Sequence, residues 1–178
     1  ASLTAVFPPP LTEFKPIWEC DEDLWRRILE VNVMGQFYSL KHVIPSMLRR
    51  SEKDSSGSVI LTSSIAGVKT GAFSIGLSSY AASKHAIKAL ALNTANEVKS
   101  LNIRVNVVAP GPTETPMTDM YREVMSKEEL DGLLKTISII GRSAQPEEVA
   151  EIVTFLASEK ASMCTGGVYG IDGGMAAM

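Results

Sequence analysis

Tyr80 and Lys84 stand four residues apart in the run Tyr80-Ala81-Ala82-Ser83-Lys84. On a helix that spacing puts a phenol and an ammonium one turn apart on the same face. A phenol ordinarily keeps its proton up to a pKa of ~10. A cation ~4 Å away, at an effective dielectric of ~20, interacts with the phenolate by about 4 kcal/mol. That would lower the phenol's pKa by up to ~3 units, less after solvent screening. A tyrosine brought toward neutrality is a usable general acid/base. Tyr and Lys at this spacing are also common on solvated helix faces, so the neighbouring residues must decide between the two readings.

Three further features bear on that decision. An apolar run at 58–62 ends in Ser63-Ser64-Ile65-Ala66-Gly67, and a second at 103–108 ends in Pro110-Gly111-Pro112-Thr113-Glu114-Thr115. In parallel sheets, ligands bind beyond the carboxyl ends of the strands, where both runs deliver small and hydroxylated residues. Asn32 stands mid-helix in Val31-Asn32-Val33, where asparagine is a poor helix former and needs a local reason to be present.

The elements that must position these residues can be read in order. Residues 1–20 are proline-rich with interspersed Phe7, Leu11, Phe14 and Trp18, and read as an extended loop laid over a core. Cys20-Asp21-Glu22-Asp23 has the acidic character of a helix first turn. Leu24, Ile28, Val31, Met34, Phe37, Leu40 and Ile44 continue at helical spacing, predicting one long helix to about Arg50, bent near Gly35 or Pro45. Residues 51–57 read as a surface loop, 58–62 as a buried strand and 63–79 as a glycine- and serine-containing loop. An alanine-strewn helix is expected over 80–100, its small side chains suited to close packing on a sheet and on a second helix. A strand at 103–108 follows. Residues 113–145 form a methionine-rich excursion with one or two short helices. Pro146-Glu147-Glu148 opens a helix to about Ser158, and Val168-Tyr169-Gly170-Ile171 is a last short strand. Helices alternating with strands predict an α/β fold on a parallel sheet.

The 178 residues amount to one domain. Hydrophobic residues at 45%, charged residues at 21% and a net charge of -3 describe an ordinary globular protein. No basic cluster exceeds a pair such as Arg49-Arg50, which argues against a nucleic-acid partner. No apolar run reaches the ~18 residues of a membrane span. Cys20 and Cys164 lie far apart with no ligand pair nearby, so free thiols in a cytoplasmic setting are expected, and no metal site. The chain opens Ala1-Ser2-Leu3, which reads as a cut start. His42 and His85 read as surface or packing histidines, and the methionines as core or loop filler.

Taken together, Val31-Asn32-Val33, Ser63-Ser64 with Gly67, Tyr80 through Lys84, Asn106 through Pro110-Gly111 and Asp172-Gly173-Gly174 resemble the short-chain dehydrogenase/reductase family. They stand in family order and span nearly the whole chain. The resemblance implies a Rossmann-like parallel sheet with flanking helices and an NAD(P)-dependent oxidoreductase that interconverts a secondary alcohol and a ketone. It implies NAD or NADP as cofactor, a small or alicyclic substrate, and a homodimer or homotetramer built on helices 22–50 and 80–100. Tyr80 resembles the family's proton-exchanging acid/base. Lys84 resembles the residue that lowers the tyrosine pKa and bonds the nicotinamide ribose. Ser64 resembles the serine that orients the substrate oxygen; it matches better than Ser63 because the glycine stands three residues after it. Asn32 resembles the asparagine that holds a relay water. Pro110 and Gly111 match the backbone approach to the nicotinamide, Thr113 and Thr115 positions near its carboxamide, and Lys41 a further cofactor-facing position.

The step from Ser64 to Tyr80 is sixteen residues, a few more than the family usually shows, and the extra length falls in the loop. The family's opening strand, glycine-rich phosphate loop and helix have no counterpart. Thr165-Gly166-Gly167-Val168-Tyr169-Gly170 mimics that loop, but Asp172 stands where the last glycine belongs, and the run reads as the family's C-terminal strand. The resemblance thus makes 1–178 roughly the C-terminal two-thirds of a single Rossmann-like domain, with 113–145 as its substrate-loop excursion. The rival expectation is a truncated, non-catalytic chain that oligomerises but binds no dinucleotide by itself. Without the preceding strands, strand 58–62 would have an unpaired edge prone to association.

Overall fold

The computed structural model describes residues 15–49, 57–71 and 74–178. Most of the proline-rich stretch expected as a loop over 1–20 and most of the 51–57 loop lie outside the described residues. The described part of the former holds one 3-10 turn, Ile17–Glu19.

Asp21 starts the first helix, α1 (Glu22–Leu29), by accepting the Leu24 N–H on its carboxylate at 2.8 Å. The expected long helix is continuous but not uniform. Between α1 and α2 (Gly35–Leu48) the chain widens into a π turn, Glu30–Met34. The irregularity expected near Gly35 thus lies just before it and contains Asn32. A π bulge inside an α-helix is rare and frequently marks a functional position.

Three parallel strands follow: β1 (Gly57–Thr62), β2 (Ile103–Pro110) and β3 (Val168–Ile171), in the order β1-β2-β3. Gly57 pairs with Ile103 and Thr62 with Val108 across the first pair, and Val107 with Val168 across the second. The central strand is sandwiched. Val105 and Val107 pack with Leu40, Ile87 and Ala91 on one face, and Val108 packs with Leu156 and Ala161 on the other. This explains why 103–109 reads as a nearly continuous apolar run rather than an alternating one. The exception, Asn106, is fully buried and ties β2 to the approach of β3: its amide donates to the Cys164 carbonyl at 2.7 Å and its oxygen accepts the Gly167 N–H at 3.1 Å.

Helix α3 (Ser78–Glu97) lies between β1 and β2 in sequence and covers the same face as α2. Its alanines divide. Ala91 is 1% exposed within the core and Ala95 packs against it, whereas Ala82 and Ala89 are exposed. Ala91 and Ala95 therefore belong to the helix–sheet contact rather than to a surface that could meet a second helix of a partner. On the opposite face of the sheet α6 (Pro146–Ala157) is held by Arg104, whose guanidinium donates to the carbonyls of Leu156 at 2.8 Å and Ser158 at 3.1 Å. These orphan carbonyls at a helix C-terminus are natural acceptors for a cation.

The excursion after β2 is two helices, α4 (Pro116–Val124) and α5 (Lys127–Ile137). Its ends are stapled by a bridge between Thr113 and Ala144 and by Ile140 N–H to Gly173 O at 2.9 Å. The glycine-containing run before β3 enters a strand, as expected, and Asp172 then caps the final turn by accepting the Gly174 and Ala176 N–H groups. No helix among the described residues is long and apolar enough to cross a membrane.

Candidate active site

The carboxyl end of β1 delivers Ser64, and the first turns of α3 deliver Tyr80 and Lys84. Ser64 adopts extended backbone and opens a 3-10 turn, Ile65–Gly67, accepting the Ala66 N–H on its hydroxyl oxygen at 3.2 Å. The same hydroxyl lies close enough to the Tyr80 phenol to draw its pKa down. The serine and tyrosine expected from sequence are therefore neighbours, with the fifteen residues between them looped away.

Lys84 is 3% exposed. Its ammonium donates to the Thr62 carbonyl at 3.2 Å and lies over the Tyr80 ring, 5.4 Å from the centroid. Burial alone holds it down to about 8 from its ordinary 10.5. The phenol goes the other way. Burial raises Tyr80 above 10.0, the Ser64 hydroxyl draws it partly back, and the neighbouring Tyr121 phenol adds to the rise. This corrects the sequence expectation that Lys84 tunes Tyr80. The ammonium faces the ring rather than the phenol oxygen, and in this arrangement the group that lowers the phenol is Ser64.

The backbone of Lys84 is held as well. Ser63, passed over in favour of its neighbour, is 3% exposed and donates its hydroxyl to the Lys84 carbonyl at 2.8 Å. Gly67 backs onto this contact: a Cβ there would stand 2.3 Å from Ser63 Oγ and 2.6 Å from Lys84 O. Only glycine admits so close an approach of turn and helix. The Ser64-to-Gly67 spacing ranks Ser64 above Ser63 in the sequence but gives no sign of this brace.

Asn32 is buried in the π turn and donates to Ser83 Oγ at 3.1 Å, while Ser83 donates to the Tyr80 carbonyl at 2.7 Å. The mid-helix asparagine is thereby linked to the Tyr80–Lys84 turn through a serine that lies inside the motif itself.

At the end of β2, Gly111 N–H continues the ladder to Ile171 O at 3.0 Å, and a Cβ on Gly111 would meet the Asp172 backbone at 2.9 Å. Pro110-Gly111 is thus shaped first by β3. Thr113 donates to Gly111 O at 3.1 Å and Thr115 to Thr113 O at 3.2 Å; Thr115 also caps α4, so both hydroxyls are spent within the loop. Lys41 is exposed with its ammonium 5.8 Å from the Phe37 ring centroid, and the structure gives it no part in the cluster. Tyr121, on α4, was not singled out from sequence, yet it is the residue the excursion brings beside Tyr80.

The dinucleotide expected from the resemblance fits these residues at one end. A buried ammonium, a phenol and a serine hydroxyl converge beyond the carboxyl ends of parallel strands, a donor set suited to ribose hydroxyls and a polarised carbonyl. Among the described residues no helix follows a strand through a G-x-G-x-x-G loop, so nothing there serves the pyrophosphate.

The chain matches the family model described as enoyl-(acyl carrier protein) reductase over residues 3–176. It is 38% identical over 154 residues to a 3-oxoacyl-[acyl-carrier-protein] reductase of Thermotoga maritima, covering 86% of this chain and 58% of that protein. Its fold is similar to that of a 4-hydroxyisoleucine dehydrogenase mutant complexed with NADH and succinate, with TM-score 0.82 and 26% identity, covering 93% of this chain and 65% of that one. It also resembles a candidate 2-deoxy-D-gluconate 3-dehydrogenase of Agrobacterium tumefaciens with bound NADP, with TM-score 0.80 and 29% identity, covering 92% and 63%. The chain thus spans little more than half the length of the curated Thermotoga relative.

Proposed function

The chain belongs to the short-chain dehydrogenase/reductase family, and from that membership we propose that it forms the catalytic side of an oxidoreductase acting on a secondary alcohol or ketone with NAD or NADP. The observation that carries this reading is the convergence of Ser64, Tyr80 and Lys84. The related proteins' substrates, a 3-oxoacyl group and a 4-hydroxy amino acid, have the same functional group in its two oxidation states. In this reading residues 1–178 are roughly the C-terminal two-thirds of one Rossmann-like domain, and a preceding glycine-rich segment would hold the pyrophosphate.

When bound, the nicotinamide supplies or receives the hydride. Tyr80 exchanges a proton with the substrate oxygen, as donor for a ketone and as acceptor for an alcohol. Ser64, beside that phenol, orients the same oxygen and steadies the charge that develops on it. Lys84 would hold the nicotinamide ribose. Asn32 acts at the back of the Tyr80–Lys84 turn, and Pro110, Gly111, Thr113 and Thr115 would form the loop that faces the carboxamide of a bound nicotinamide. The test is fluorescence titration with NADH and NADPH, on this chain and on it joined to a preceding nucleotide-binding segment. Uptake only by the joined protein, followed by oxidation of a secondary alcohol, supports the reading. Uptake by neither sinks it.

A non-catalytic, self-associating chain is the second reading. The observation in its favour is the lack of a pyrophosphate loop among the described residues. Both readings expect a homodimer or homotetramer on α2 and α3, where Phe37, Tyr38, Val43, Ala82 and Ala89 are exposed. Ala89→Arg should shift sedimentation to a smaller species while leaving the unfolding transition nearly in place. Ala91→Arg should unfold the chain, because it drives a cation into the core. Unchanged sedimentation for Ala89→Arg would remove α3 from the interface.

A further inference from the structure

Lys84 is held at two points by two consecutive residues of one strand end. Thr62, the last residue of β1, accepts the ammonium on its carbonyl at 3.2 Å, and Ser63 donates to the Lys84 carbonyl at 2.8 Å. The side chain therefore spans a fixed gap, its backbone pinned at one end and its head at the other. Three observations indicate a built feature. Ser63 and Lys84 are each 3% exposed and the bond between them is buried, so water competes little for it. Ser63 is itself fixed by its N–H to Val108 O at 2.9 Å, which extends the β1–β2 ladder by one residue. Gly67 leaves no room for a Cβ between the partners.

We propose that Ser63 is a positioning residue that sets where the Lys84 ammonium stands relative to Tyr80, acting through the Lys84 backbone rather than on substrate. This deepens the oxidoreductase reading and rests on it for its meaning. Among the serines of the site the division of labour is then specific. Ser64 lowers the phenol's pKa, Ser83 braces the Tyr80 carbonyl, and Ser63 braces the Lys84 carbonyl. If the brace were released, the first turns of α3 could move off the 3-10 turn and admit water to the ammonium, which the Thr62 carbonyl and the Tyr80 ring flank.

The experiment is a pH titration of the Lys84 side chain by NMR, using the chain labelled with 13C-lysine and Lys84→Arg to assign the resonance. In the wild type the midpoint should lie near 8. In Ser63→Ala it should rise by a unit or more toward the ordinary 10.5, with helical content retained. Gly67→Ala, which keeps the hydroxyl but wedges the partners apart, should move it in the same direction. If Ser63 serves stability alone, Ser63→Ala will unfold at lower denaturant with the Lys84 midpoint unmoved, and the proposal is overturned. Should Ser63→Ala fail to fold, Ser63→Cys, a weaker donor of similar size, decides: an intermediate rise supports the brace and an unmoved midpoint ends it. The readout needs neither cofactor nor substrate. A chain that takes up no dinucleotide would end the functional reading and leave this result standing, and an unmoved Lys84 would do the reverse.

Discussion

Tyr80→Phe, in a protein competent for dinucleotide binding, is expected to lower turnover by about 10²–10⁴-fold, the usual contribution of a general acid/base. The substitution removes one hydroxyl and keeps the ring under the Lys84 ammonium, so cofactor affinity should hold. Its pH behaviour follows from the direction of the shift. Because burial raises the phenol above 10.0, the folded chain keeps a proton that the unfolded chain releases, and stability falls as pH rises above 10. In Tyr80→Phe that alkaline loss should shrink. The alkaline limb of alcohol oxidation should respond to Ser64→Ala, which removes the one group that lowers the phenol and so moves the limb upward. A Tyr80→Phe enzyme with turnover near wild type would dismiss Tyr80 as the proton carrier.

Lys84→Met should have opposite effects on function and stability. Dinucleotide affinity and turnover should fall together, since the only buried cation in the cluster is gone. Stability should rise near neutral pH. The folded chain holds Lys84 at about 8 against 10.5 in its ordinary state, so between those values the unfolded chain binds the extra proton and stability climbs with pH. Below pH 8 the full cost of the buried charge is present, about 3 kcal/mol at 1.36 kcal/mol per unit. An apolar side chain of similar length removes that cost and flattens the climb. Urea denaturation of both chains at pH 7 and pH 10 measures it. Equal pH dependence in the two would show that Lys84 is not the buried charge.

Much of this fold was legible because its signals are local. The β-branched run before Ser63, the acidic first turn at Asp21 and the Pro146-Glu147-Glu148 start each depend on neighbours a few residues away, and each element formed where expected. The Tyr80–Lys84 pair and Ser64 were legible for the same reason, joined by order along the chain. What sequence could not give was direction. Periodicity marks α3 as amphipathic only weakly, because alanine suits core and surface alike, so Ala91 and Ala89 look identical until the sheet is in place. Lys41 shares a continuous helix with Asn32, but the π turn between α1 and α2 alters the angular relation that a plain α-helix would impose. The electrostatic misjudgement has a similar origin. An i, i+4 spacing brings two side chains together without saying whether the ammonium meets the hydroxyl or the ring, and it carries no information on burial, which dominates both shifts.

The order of the three strands has a consequence for how the molecule comes into being. β1 and β2 close on one another across the single helix α3, whereas β3 reaches β2 only after the two-helix excursion and α6. Closing the shorter loop costs less chain entropy, so the first crossover should assemble ahead of the second. Ser63, Ser64, Tyr80 and Lys84 all lie within that first crossover. The turn that carries Tyr80 and Lys84 should therefore be native before the two-helix excursion and α6 have docked. Changes confined to the excursion should therefore leave the assembly of that turn undisturbed.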